Sequence, residues 1–144
     1  MLRKWTILGL TMAAVTALAT GFATAQDEDS PLHKLMENVQ KKNSAIMKGV
    51  RTPVSFKKMQ KEVVDSATEL AKLAKEAREF KEPSEKQKKA YEVWTKHSDD
   101  MVKACEAFAK VAGGDGVTQA TAKAAYKTVS ATCAGCHKDF RVDE

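Results

Sequence analysis

Beyond residue 30, apolar residues recur every three or four positions along most of the chain. In the first run Leu32, Leu35, Met36, Val39, Ile46, Met47 and Val50 share one stripe, interrupted by Asn43. The second is longer: Phe56, Met59, Val63, Ala67, Leu70, Leu73, Ala74, Ala77 and Phe80 hold one face, and the lysines and glutamates between them take the other. Tyr91, Trp94, Met101, Cys105, Phe108 and Ala112 make a third stripe, and Ala122, Ala125, Tyr126, Val129, Cys133, His137 and Phe140 a fourth. This spacing gathers apolar side chains on one side of an α-helix, and no run shows the two-residue alternation of a half-buried strand. Ser30-Pro31 and Thr52-Pro53 read as cap and first-turn proline, Ser84 with Gln87 as a capping box opening the third helix, and Gly113-Gly114 with Gly116 as the break before the fourth. Four helices of about 20 to 30 residues joined by short connections predict an all-α, antiparallel up-down-up-down four-helix bundle, because short loops leave sequential helices as neighbours.

The start of the chain follows another pattern. Arg3 and Lys4 precede an apolar run from Thr6 to Ala23, then the small-residue exit Ala23-Thr24-Ala25, and the sequence turns acidic at Asp27-Glu28-Asp29. That order predicts a secretory signal peptide over 1–25 and a mature bundle domain over 26–144. Cleavage is favoured over an uncleaved anchor because the run is rich in Thr, Ala and Gly and ends in A-x-A. The expected product is soluble and periplasmic.

Charge narrows the function classes. The 144-residue chain has a formal charge of +5, and two of its positive charges lie in the leader, which is too little imbalance for a nucleic-acid binder. Lysines 41, 42, 57, 58, 61, 72, 75, 86, 88 and 89 are interleaved with acids. They offer a docking face for an acidic redox partner protein, or an ordinary solvated surface.

Three cysteines are too few for a disulfide scaffold, and two of them stand in Cys133-Ala134-Gly135-Cys136-His137. This C-x-x-C-H run has the spacing of c-type haem attachment: the two thiols take the two vinyl groups and the next imidazole becomes an axial iron ligand. A thioredoxin-like pair fits badly without βαβ context, and a zinc site lacks a second Cys/His pair.

With these residues the chain resembles the class II c-type cytochromes, the cytochrome c′ family and its six-coordinate relatives. The likeness rests on Cys133 to His137 continuing as Lys138-Asp139-Phe140-Arg141, on Trp94 in the third helix, and on Lys34-Leu35-Met36 in the first. It implies one covalent haem c on the last helix, a possible helix-one to helix-two homodimer, and Arg141 either pairing with a haem propionate or fraying at the surface.

Function then turns on the residue opposite His137. In up-down-up-down topology the end of helix four is level with the start of helix one, so Met36 is the expected second iron ligand. Met47 lies roughly 16 Å further along, and Met47, Met59 and Met101 are expected to fill the core away from the haem. The resemblance agrees on Met36. His33 is a weaker competitor, expected in solvent. Leu73, Ala77, Phe80, Tyr91 and Trp94 gather at the same end, as haem packing or as plain core. Cys105, counted from a helix beginning near residue 84, falls roughly 30 Å from the haem end, and His97 is expected away from that end, hydrogen-bonded and not a ligand. The leading expectation is an electron carrier with a His137/Met36 haem and no enzymatic activity. The alternative is a five-coordinate haem binding NO or CO, as in the cytochrome c′ branch.

Overall fold

The computed structural model describes residues 30–141; the signal-peptide assignment to 1–25 lies outside them. Five helices follow in order: α1 (Pro31–Gly49), α2 (Pro53–Ala77), the short α3 (Glu82–Lys86), α4 (Tyr91–Ala112) and α5 (Gln119–Phe140). The four long ones form the expected all-α bundle. Their starts follow the local chemistry. Ser30 Oγ accepts from the His33 amide at 3.1 Å, Thr52 Oγ1 from the Ser55 amide at 3.1 Å, and Thr118 Oγ1 from the Thr121 amide at 3.2 Å, each satisfying a donor that the first turn leaves open. Pro31 and Pro53 occupy first-turn positions, where a missing N–H costs nothing.

The expected capping box at Ser84 does not form. Ser84 Oγ is buried without a partner among the described residues, and the chain makes one short helix, breaks, and starts again at Tyr91. The break is a left-handed residue: Lys88 has φ 51, its amide bonds Glu85 O at 3.2 Å, and the Lys89 amide bonds Ser84 O at 3.0 Å. These are the paired hydrogen bonds of a Schellman ending, with lysine where glycine is usual.

Packing runs from α1 to α2, α2 to α4 and α4 to α5, while the seam between α1 and α5 is the sparsest side of the bundle. Ile46, Phe56, Val63, Leu70, Cys105, Phe108 and Val129 form the main core, and Val39 links it to a second cluster at the other end. Each fully buried large side chain contributes about 1.5–3 kcal/mol. A Cβ at Gly49 would run into Val63 Cγ2, so α1 crosses α2 closely there. Met47 departs from expectation: it is 53% exposed rather than core-filling, because the stripe of α1 rotates toward α2 at Ile46 and leaves the next residue in solvent. Met101, by contrast, packs against the main core. Among the described residues no helix is long and apolar enough to cross a membrane.

Candidate functional site

The last two turns of α5 carry Cys133, Cys136 and His137, and the second apolar cluster lies against them. Leu35, Ala77 and Trp94 are its buried centre, and Leu32, Met36, Leu73, Phe80, Tyr91, Cys136 and Phe140 pack around it. The structure thus gathers the C-x-x-C-H run of α5, Met36 of α1 and the expected aromatic and aliphatic residues at one end of the bundle. Trp94 is 3% exposed. Its indole N–H donates to Ala77 O at 2.8 Å, and its ring meets Phe140 edge-on with centroids 5.1 Å apart, so the only polar atom of a large apolar group is satisfied. Tyr91 Oη donates to Arg78 O at 2.6 Å.

Cys133 and Cys136 are free thiols, both half-buried. Burial pushes each thiol up, Cys136 to about 11, so both are protonated at neutral pH. The His137 imidazole is exposed; the protein around it and the Arg141 guanidinium lower its pKa, which keeps its lone pair available as a ligand requires. Arg141 itself is exposed at the C-cap of α5, where its amide bonds His137 O at 2.9 Å. Two thiols at this spacing, a neutral imidazole beside them and an apolar shell make a donor set that fits a covalently held haem.

Two hydrogen bonds across the sparse seam mark the register of α1 against α5. Tyr126 Oη donates to Asn43 Oδ1 at 2.6 Å, and Gln119 Nε2 donates to Val50 O at 2.6 Å. The partners step by seven residues on both strands of the pair, one rising and one falling, so the helices are antiparallel in one continuous register. On it Met36 is level with Cys133, and its level differs from that of His137 by about 6 Å. Met36 lies seven residues from Asn43 and His137 eleven from Tyr126, each returning to the same face within about 20°. The faces that carry Met36 and His137 therefore look at each other. Met47 is about 22 Å from the His137 level on the same register, and His33 is exposed in the first turn.

Two expectations are corrected by the late start of α4. Cys105 is fourteen residues into that helix, about 21 Å from its start, and it lies within electrostatic reach of Cys133 rather than roughly 30 Å from the motif; it is fully buried, with its thiol pushed up to about 12 mainly by burial. His97 is not remote from the motif. Its ring lies against Gly135, where an added Cβ would sit 3.7 Å from Cε1, and its Nε2 is 2.8 Å from Asp139 Oδ2. Lys89 Nζ donates to the other oxygen, Asp139 Oδ1, at 2.7 Å, and these two bonds, Lys89 first, hold the Asp139 carboxyl below the usual carboxylate range. His97 is thus engaged in structure, as expected, but at the motif end. The sequence reading missed this latch and the Asn43–Tyr126 bond, since both join residues on different helices. Of the lysines singled out, Lys61, Lys72, Lys75, Lys86 and Lys89 are paired with acids.

No curated protein and no solved structure shows significant similarity to the chain. A family model described as Cytochrome C′ matches residues 30–141. Since that match spans every helix of the bundle and the C-x-x-C-H run in α5, the chain belongs to the cytochrome c′ family, whose members are haem-binding c-type cytochromes.

Proposed function

We propose that the protein is a periplasmic electron carrier, not an enzyme, holding one covalent haem c between His137 and Met36. The observation that carries this reading is that Met36 packs in the same apolar cluster as Cys136 and Phe140. When bound, the haem supplies an iron that takes up and gives back one electron. The chain's own residues do the rest. Cys133 and Cys136 fix the group to α5 through their Sγ atoms, and His137 offers a neutral imidazole. Met36 offers a thioether with no proton to lose. Leu35, Trp94 and Phe140 keep water from that end, and a dry shell helps to set the potential. Peroxide chemistry would require a free acid–base group near the iron. The nearest histidines argue against it, because His33 lies in solvent and His97 is held by Asp139. The leader-like sequence pattern over 1–25 supports the periplasmic placement.

Family membership is equally compatible with a five-coordinate haem that binds NO or CO. Replacing Met36 by leucine separates the two. On the carrier reading the wild-type absorption spectrum is low-spin and unreactive to CO, Met36→Leu is high-spin and CO-reactive with a lower midpoint potential, and Met47→Leu is silent. Leucine keeps the volume, so packing changes by less than about 1.5 kcal/mol. A wild-type protein that is already high-spin and binds CO establishes the gas-binding reading instead.

A further inference from the structure

Asn43 interrupts the apolar stripe of α1: its Nδ2 donates to Met47 Sδ at 3.9 Å within the helix, and its Oδ1 accepts the Tyr126 hydroxyl at 2.6 Å across the α1–α5 seam. The tyrosine is anchored on its other side. Its ring meets Phe108 of α4 at 5.7 Å between centroids, and the phenol is half-buried, with its pKa raised mainly by that burial, so it remains a donor at every physiological pH. The bond therefore ties α1 to a ring fixed in the main core. It lies two turns from Met36 on the same face of α1, and on α5 it shares the face of Cys133 and His137. Elsewhere along this seam the helices have little direct packing to hold them together. α1 is packed along its length on α2, and the bond to Tyr126 limits how far it rolls on that partner away from α5, so the bond sets how often its Met36 face leans away.

We propose that Asn43 and Tyr126 are a positioning pair: their hydrogen bond holds α1 at the separation from α5 at which Met36 stays on the iron. The inference rests on the His137/Met36 reading. Neither residue touches the ligands; both act through the placement of α1. Exogenous CO enters a six-coordinate site only when the methionine has left, so the rate of CO binding reads the fraction of molecules in which α1 has leaned away.

The test uses the haem-loaded protein. Tyr126→Phe keeps the ring on Phe108 and removes only the donor. It is expected to add a high-spin component to the ferric absorption spectrum and to speed CO binding about five-fold, the factor that the loss of one ordinary hydrogen bond makes in an opening equilibrium. Asn43→Asp keeps an acceptor and is expected to match the wild type. Gln119→Leu removes the hydrogen bond to Val50 O at the far end of the same seam; it is expected to lower the melting temperature without changing spectrum or CO rate. A Tyr126→Phe protein identical to wild type in both readouts, an Asn43→Asp protein that behaves like Tyr126→Phe, or a Gln119→Leu protein that reproduces the effect overturns the proposal and leaves the carrier reading intact. A wild-type protein that is high-spin, with Met36→Leu silent, overturns the carrier reading and the positioning role with it.

Discussion

Cys133, Cys136 and Cys105 place the same side chain in different surroundings. The first two are half-buried on a helix face that looks toward α1, whereas Cys105 is closed inside the main core among Phe108, Leu70 and Val129. Replacing Cys133 and Cys136 together by alanine is expected to abolish haem that survives acid-acetone extraction. Cys105→Ser is expected to keep full haem content and to lose about 1–3 kcal/mol in urea unfolding, because its hydroxyl would be buried without a partner. The haem motif was readable from sequence because its five residues are contiguous and their chemistry depends only on spacing along one helix. The placement of Met36 at the motif end was readable because a short-looped bundle fixes which helix ends are level. Asn43–Tyr126 and His97–Asp139 were not: periodicity describes one helix at a time, and a polar residue on a stripe does not name its partner.

At the scale of the helix, the third stripe shows where punctuation misleads. Proline and glycine marked the other boundaries, but the stop between α3 and α4 is made by Lys88 in the left-handed region, a conformation that composition does not announce. The capping-box signal at Ser84 was therefore read as the start of a long helix, and everything counted from it was misplaced along the axis. A left-handed lysine carries a conformational cost that glycine escapes. Lys88→Gly is expected to raise stability by up to about 1 kcal/mol, seen as a higher urea midpoint with an unchanged slope. A lowered midpoint would mean that the lysine side chain contributes more than its backbone strain costs.

In the whole molecule, α2 and α4 each pack against two long neighbours, while α1 depends mainly on α2 and α5 mainly on α4. A group bonded to α5 and ligated from α1 would close the remaining side. The Cys133→Ala/Cys136→Ala protein, which holds no covalent haem, is therefore expected to fold, with amides of α1 and α5 exchanging hydrogen faster than those of α2 and α4. Uniform protection across all four would show that the bundle is closed without the haem. The bundle itself was legible in the sequence because its helices are long and strongly periodic. The uneven tightness of its sides was not, since α5 is apolar enough to read as an ordinary core helix.

The register of α1 against α5, marked by two hydrogen bonds, also constrains how the chain can change in length. The same number of residues separates Met36 from Val50 as separates Gln119 from Cys133, so the two helices act as matched rulers laid in opposite directions. One residue added to either ruler alone turns the chemistry at its end about 100° away from the seam and shifts it about 1.5 Å. Insertions are therefore expected to be tolerated in the connections, such as the glycine-rich turn before α5, and not within either of these two spans alone.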